Sequence, residues 1–351
     1  MKSISEATLR PWVEEMLRAW GYAPDAAAYI ADTMLDANLR GVDSHGVIRL
    51  GPYHRRIAAG LVEPNAKPQV ARQGAIVTVD GNGAPGQLAA RAAVTELIAA
   101  SNELGSATAL VRGSAHFGTA GYYARALADA GKVAIIASNS EPAVVPFGGK
   151  SAFLGTNPLA MAAPTSGAPV CLDMATSTSA FGQVIQAEAE GRDIPDTWGV
   201  DSQGEPTTDP SQVVSLLPAA GPKGYGIGFF IDVIAGILAG AAAGLEIGNM
   251  YRDFDRPQNI GHFMIALDVS NFQPMADFIA RMDAFVAQAH SAAPAPGFDS
   301  VLVPGEPQER VRAERLAQGI PLPDATIAEL QELGAEQEVP FPTLPGQGEQ
   351  Q

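Results

Sequence analysis

Apolar positions near the start of the chain recur at helical spacing. Leu9, Trp12, Val13, Met16 and Leu17 fall on one face, Ser5 precedes them as an N-cap and Gly21 closes the run, which predicts a first amphipathic helix. A second helix is predicted from about Asp25 through Tyr29, Ile30, Met34 and Leu35, stopping near Gly41. A third covers residues 47–59, and Pro64 and Pro68 then mark a linker. From Ala75 the period changes. Strands are predicted over 75–80, 107–111 and 133–137, with helices over 87–102 and 121–130 between them, and such alternation indicates an α/β architecture. Residues 138–173, rich in Pro and Gly, read as loop. Beyond them come a helix over 223–244, a strand over 262–267 and a helix over 274–289. An Ala/Pro/Gly joint at 291–297 is followed by short helices at 313–316 and 324–333 and by a Pro-, Gly- and Gln-rich end.

Four segments follow from this pattern. Residues 1–68 form an N-terminal helical region and 69–290 an α/β region. Residues 291–337 are C-terminal helices packing back on the N-terminal part, and 338–351 a disordered tail. The 22 Lys and Arg against 38 Asp and Glu give a net charge of −16, a field that repels phosphate backbones and anionic membranes. Hydrophobic residues at 46% and charged residues at 17% exclude a largely disordered chain, and the single Cys171 excludes a disulfide framework or a cysteine zinc site. The stretch 226–245 is almost wholly apolar but carries Asp232 and several glycines, so it reads as a buried helix and not a membrane span. No signal peptide opens the chain, and a cytoplasmic location is expected.

Several motifs are decoys. Gly81-Asn82-Gly83-Ala84-Pro85-Gly86 spells a dinucleotide fingerprint between a strand and a helix, with Glu103 where a ribose-binding acid would stand. Pro85 removes an amide donor from that loop, which favours a plain turn. Asp43-Ser44-His45 holds the residue types of a hydrolase triad, but as sequence neighbours they are not expected to face one another productively. No G-x-S-x-G elbow occurs, and the five histidines lack metal-ligand spacing, so no metal is expected.

Chemistry concentrates elsewhere. Ser44-His45-Gly46-Val47-Ile48-Arg49, His116-Phe117-Gly118-Thr119-Ala120-Gly121, Leu154-Gly155-Thr156-Asn157-Pro158-Leu159-Ala160, Leu172-Asp173-Met174-Ala175-Thr176-Ser177, Gly221-Pro222-Lys223-Gly224-Tyr225-Gly226 and Pro304-Gly305-Glu306 occur in that order. Together they resemble the type 2 malate/L-lactate dehydrogenase family, the sulfolactate dehydrogenase-like oxidoreductases, over about residues 5–333.

The resemblance implies a non-Rossmann α/β fold and an NAD- or NADP-dependent enzyme that interconverts small 2-hydroxy and 2-oxo acids. It also implies a homodimer. Reduction of a cyclic imino acid or a diketo sugar acid is the alternative within the family, and a non-catalytic relative the alternative outside it. His45 and His116 match the family's catalytic histidines. His116 is favoured as the proton carrier because a strand end followed by a Gly-rich turn aims a side chain into a crevice, the alternative being that His45 donates the proton while His116 orients the substrate. Arg49 stands four residues after His45, so on a helix the two would share a face, and its guanidinium suits a substrate carboxylate. Ser44 binds substrate or caps the following helix. For the cofactor the resemblance points to Ser140, Asp173, Met174, Ala175, Thr176, Ser177, Lys223, Gly224, Pro304, Gly305 and Glu306, with Asp173 alternatively a turn former and Asn157-Pro158 a pocket wall.

Overall fold

Residues 2–343 are described by the computed structural model of the chain. A short strand β1 (Lys2–Ile4) leads into α1 (Glu6–Ala19), whose first turn is capped by Ser5 accepting from the Thr8 N–H at 3.1 Å. Then come α2 (Pro24–Leu39) and α3 (Leu50–Ala58). The sheet region comprises β2 (Gln69–Gln73), β3 (Ile76–Asp80), α4 (Gly86–Leu104), β4 (Ser106–Ser114), α5 (Ala120–Asp129), β5 (Lys132–Ser138), β6 (Leu159–Ala163) and β7 (Val170–Met174). After α6 (Phe181–Ala189), a small ribbon of β8 (Gly199–Val200) and β9 (Ser215–Leu216) precedes α7 (Pro222–Ile231) and β10 (Ile260–Asp268). The chain closes with α8 (Met275–His290), α9 (Glu306–Gln318), β11 (Ile320–Leu322) and α10 (Asp324–Glu336).

The seven-stranded sheet runs β2-β3-β4-β10-β5-β6-β7. Only β3 and β4 pair in parallel, through the α4 crossover; every other neighbouring pair is antiparallel. A doubly wound dinucleotide fold needs several parallel strands with a topological switch, so the expectation of a non-Rossmann α/β fold holds. Strand β10 arrives late in the chain and wedges between β4 and β5, and this brings the ends of all three strands to one place.

The N-terminal helices make a second layer. Leu9, Trp12, Val13, Met16 and Leu17 are all buried, packed with Ile30, Met34 and Leu35 of α2 and with Ile327 and Leu330 of α10. Each such side chain contributes about 1.5–3 kcal/mol on leaving water. The layer is closed by the two ends of the described chain: β1 pairs antiparallel with β11, Ile4 opposite Ile320. Trp12 Nε1 donates to the Val339 carbonyl at 3.1 Å, and Phe341 meets the Trp12 ring edge-on. Residues 338–343 thus lie along this layer; the rest of the predicted tail is outside the described residues.

Several expectations need correction. The 138–173 stretch contains β6 and β7, whose strands are only five residues long and rich in alanine, so periodicity gives little signal. The predicted 223–244 helix is α7 followed by a π-helical stretch, Asp232–Leu238. The 313–316 helix is part of the longer, polar α9. Strands β1, β2 and β11 and helix α6 were not predicted. Residues 43–49 form two short 3-10 turns, Asp43–His45 and Val47–Arg49, before α3 begins.

The glycine-rich decoy has a packing role. A Cβ on Gly86 would sit 2.1 Å from the Ala115 carbonyl oxygen, and one on Gly81 2.5 Å from that of Gly113. These glycines let the start of α4 press against the exit of β4. Glu103 pairs with Arg72 at 2.5 Å, away from any cradle. Gly83, at φ +77°, has nothing within 4 Å of its Cβ position. Gly86→Ala is therefore expected to destabilise by about 1–3 kcal/mol through overpacking, against about 1 kcal/mol for Gly83→Ala from its left-handed backbone alone. Thermal melts of the two variants check the order; a reversed order would refute the packing role.

Candidate active site

The loop after α2 is built around one amide. Asn38 is buried; its Nδ2 donates to Asp43 at 2.7 Å and its Oδ1 accepts from the Val47 N–H at 2.9 Å. Gly46 is required between them, since a Cβ there would stand 2.1 Å from Asn38 Oδ1. Arg315 from α9 grips the Asp43 carboxylate at 2.6 and 2.9 Å. Asp43 is therefore committed away from His45, and no triad forms. Ser44 and His45, expected not to face each other, do so: Oγ and Nδ1 are 2.9 Å apart. Ser44 thus caps no helix by its side chain. Arg49 and His45 do not share an α-helical face because Gly46 separates two 3-10 turns, yet the guanidinium lies close enough to lower the histidine's proton affinity.

His116 comes from the other layer, just past β4, its backbone N–H donating to Gln258 at 3.2 Å. Its ring centroid is 5.2 Å from that of His45. Tyr53, one turn into α3, places its hydroxyl 2.7 Å from His116 Nδ1 and accepts from the Gln87 amide at 3.0 Å. With that oxygen receiving from Gln87, its hydrogen goes to Nδ1. The Gly118 N–H points at the same nitrogen from 3.4 Å. This pattern assigns the neutral tautomer of His116 with its hydrogen on Nε2. Burial, helped by Arg49 and by His45 and His262, holds His116 well below the ordinary histidine range.

Arg49 sits in the same recess. Its Nε donates to the Ser44 carbonyl at 2.5 Å, one terminal nitrogen is 3.9 Å from Met250 Sδ, and its guanidinium lies 5.6 Å over the Tyr251 ring. Among the described residues no carboxylate comes within 4 Å of it. The acidic group nearest in effect is Glu141, whose charge also acts on Arg56. Arg56 is fully buried and spends itself on the carbonyls of Asn249, Asp253 and Arg256, at 3.4, 2.9 and 3.1 Å, fixing the loop that carries Met250.

The segment bearing Ser140 and Glu141 is anchored through Asp232, the lone charge in the apolar stretch. Asp232 accepts from Asn139 at 3.0 Å and from Asn157 at 2.9 Å, and Asn157 Oδ1 accepts the Ser140 N–H at 3.0 Å. The π-helical turn at Asp232 widens the helix where these amides enter.

The residues expected around the cofactor fall into two groups. Ser140, Thr176, Ser177, Lys223 and Gly224 gather where the 175–178 loop meets the start of α7. Thr176 Oγ1 donates to the Thr156 carbonyl at 3.0 Å, and Thr156 lies 3.4 Å from Ser140 hydroxyl to hydroxyl. The Ala219 N–H reaches the Thr176 carbonyl at 2.9 Å, and a Cβ on Gly224 would lie 2.2 Å from the Ala219 oxygen. Ala220 and Gly221 both have positive φ, and the turn they make closes the start of α7 on itself, the Gly224 N–H donating to the Ala219 carbonyl at 2.9 Å and that of Tyr225 to Gly221 at 3.2 Å. Lys223 is exposed and forms no ion pair among the described residues. Beside it runs a cavity of ≈ 640 Å³ lined by Ala137, Leu159, Ile227, Phe230 and Phe263, and Gly226 leaves open space in its wall. An exposed lysine and an apolar slot fit a dinucleotide's phosphates and a flat ring.

Met174 and Ala175 continue along this loop, and Asp173 accepts the Gly121 N–H at 2.8 Å at the start of α5. Pro304, Gly305 and Glu306 lie apart, at the edge of β7. The Cys171 N–H donates to Pro304, and Glu306 is engaged by the Val303 N–H at 2.9 Å and His290 at 2.8 Å.

Sequence reading missed Asn38, Tyr53, Gln87 and Glu141. Tyr53 and Arg56 had a signal, being polar residues on the face of α3 that follows the histidine loop; Glu141, in a stretch read as loop, had none.

The family profile described as malate/L-lactate dehydrogenase matches residues 4–331. A ureidoglycolate dehydrogenase (NAD(+)) from Escherichia coli is 36% identical over 325 residues, covering 92% of this chain and 93% of that one. The solved sulfolactate dehydrogenase from Methanocaldococcus jannaschii superposes with a TM-score of 0.90 at 30% identity, covering 97% of this chain and 98% of that one. The delta1-piperideine-2-carboxylate reductase from Pseudomonas syringae pvar. tomato gives 0.84 at 31%, covering 95% and 100%.

His262 offers a test of the electrostatics behind the site. It is fully buried, held between Ser138 and Ser114 at 2.8 Å each and stacked on Phe117, with its pKa lowered to about 3 by desolvation. Unfolding frees it to bind a proton at its ordinary pKa. Its contribution is therefore complete above pH 6.5 and is lost as pH falls toward 3, amounting to about 2 kcal/mol at pH 5. Melting temperature is expected to fall from pH 7 to pH 5, and less steeply in His262→Asn. Equal slopes would show that His262 is not held neutral.

Proposed function

The chain belongs to the malate/L-lactate dehydrogenase family, and on that premise we propose that it moves a hydride between a nicotinamide dinucleotide and a small 2-hydroxy or 2-oxo acid. NAD or NADP is the cofactor, and when bound it supplies or accepts that hydride. Ser140, Thr176, Ser177, Lys223 and Gly224 would hold it, with Asp173, Met174 and Ala175 along the same loop and Pro304, Gly305 and Glu306 at its far end. The cytoplasm is the proposed location; among the described residues no helix is long and apolar enough to cross a membrane.

The observation that carries this reading is the recessed Arg49, which among the described residues lacks an acidic partner within 4 Å and stands beside two histidines. A substrate carboxylate would complete it in a bidentate pair and set the adjacent carbonyl carbon toward the histidines. His116 is the proposed proton carrier: it takes a second proton at Nδ1, where the Tyr53 hydroxyl then accepts as it does from Gln87, and the Nε2 proton is the one it gives, leaving a neutral ring. His45, tied to Ser44, orients the substrate.

Desolvation is the main cause of the depressed proton affinity of His116, and the charge of Arg49 adds a repulsion that a substrate can cancel. Arg49 repels a proton on His116 while the site is empty. A carboxylate on Arg49 cancels that repulsion, so proton affinity rises as the substrate arrives. A cyclic imino acid would use the same anchor; the relation to the piperideine carboxylate reductase keeps that substrate as the second reading.

Loss of reduced-nicotinamide absorbance, with NADH and NADPH each run against 2-oxo acids and cyclic imines, tests both. Arg49→Gln is expected to raise KM by about 100-fold and His116→Gln to lower kcat by about 100-fold or more, with melting temperature little changed. Full turnover by His116→Gln would overturn its role.

A homodimer is also proposed. The face running from α7 into the π-helical stretch leaves Phe230 63%, Ile237 67% and Leu238 67% exposed, and α8 buries none of its residues. Apolar surface of this extent is characteristic of a subunit contact. Light scattering is expected to give twice the 36.4 kDa chain mass, and Phe230→Glu with Leu238→Glu to give the single-chain mass. A monomeric unsubstituted protein would refute the contact.

A further inference from the structure

The guanidinium of Arg49 has one edge left for a carboxylate. Its Nε–H is spent on the Ser44 carbonyl, which closes the side-on fork that Nε would form with a terminal nitrogen. One terminal nitrogen also reaches Met250 Sδ at 3.9 Å, a weak acceptor. A two-point pair with a carboxylate must therefore be made end-on, through both terminal nitrogens, and its aim follows the plane of the group. The Tyr251 ring lies against that plane, its centroid 5.6 Å from the guanidinium carbon.

The loop that carries Tyr251 is closed on itself and pinned from below. Asn249 Oδ1 accepts the Tyr251 and Arg252 N–H groups at 2.9 and 3.1 Å, and the Asp253 carboxylate accepts the Asn249 N–H and an Arg256 terminal nitrogen at 2.9 Å each. Beneath it, Arg56 is 1% exposed and donates to the carbonyls of Asn249, Asp253 and Arg256, while its Nε is buried with no partner among the described residues. Met250 is buried, whereas Tyr251 is 48% exposed, so the core makes little use of its ring.

We propose that Tyr251 is a positioning residue for the substrate carboxylate: its ring, lying over the Arg49 guanidinium, fixes the plane in which the two terminal nitrogens are offered. The inference rests on Arg49 as the carboxylate anchor. An aromatic face attracts the cation without accepting its in-plane hydrogen bonds, so it holds the group and leaves the open edge to the substrate. A protein carboxylate would hold Arg49 as firmly but would compete for those same N–H groups. The phenol hydroxyl has no part in this.

Tyr251→Leu removes the face and Tyr251→Phe keeps it. With a 2-oxo acid and cofactor that support turnover, Tyr251→Leu is expected to raise KM about tenfold with kcat within about twofold, and Tyr251→Phe to retain the low KM. Oxamate, an unreactive 2-oxo carboxylate, gives a readout without chemistry. With cofactor present, the oxamate concentration for half-maximal thermal stabilisation is expected to rise about tenfold in Tyr251→Leu. Melting temperature without ligands, and stabilisation by cofactor alone, should match across the three proteins. In an Arg49→Gln background Tyr251→Leu should add nothing, because the face then has no cation to hold. An unchanged KM in Tyr251→Leu, an equal rise in Tyr251→Phe, or a further loss on top of Arg49→Gln would overturn the positioning role and leave the anchor standing. Unchanged KM and oxamate affinity in Arg49→Gln would overturn both together, as would an unsubstituted protein that neither turns over a 2-oxo acid nor is stabilised by oxamate.

Discussion

Arg49 rests in a recess on the Ser44 carbonyl, beside a sulfur and an aromatic face, with no carboxylate within 4 Å among the described residues. A guanidinium withdrawn from water in this way is costly, and the protein does not relieve the cost from within. It carries sixteen more acidic than basic side chains, yet among the described residues none comes within this cation's contact distance. The neighbouring histidines respond by remaining neutral. What stability is forgone here is available as attraction for an anion, and the same charge governs how readily His116 holds a proton.

That arrangement needs two layers held in fixed relation, since His45 and Arg49 come from the helical layer and His116 from the sheet. The connection is made by buried amides. Asn38 shapes the histidine loop from below, Gln87 ties Tyr53 to α4, and Asn139 and Asn157 carry the position of Asp232 to Ser140. An amide gives and accepts at once, so a single side chain can fix two backbone segments without adding net charge to a site whose charge is its function.

Much of this was legible in the sequence. The α1 and α2 faces follow the 3.6-residue period because they lie on one core, and Leu9 to Leu17 are buried as that period requires. The short motifs around His45, Arg49 and His116 marked loops that the fold brings together. Other features were hidden for physical reasons. Strands β6 and β7 are too short and too alanine-rich to alternate visibly, and β1 and β11 acquire meaning only from each other. The spacing of His45 and Arg49 suggested a helix that Gly46 interrupts. Tyr53 and Glu141 act on groups far away in the chain, and no local pattern records a partner that is chosen by folding.

The pairing of Ile4 with Ile320 has a temporal consequence. The helices that carry the histidine loop are made first, but the strand that closes their layer, the Arg315 that grips Asp43 and the carbonyl that satisfies Trp12 are made last. At roughly 5–20 residues per second of synthesis, the first helices wait on the order of 15–60 s for these contacts. The sheet can assemble in the meantime, because β10 is already available. A nascent chain therefore acquires its sheet before the two histidines are locked opposite each other, and a ribosome that stops short of β11 releases a protein with an unfinished catalytic recess.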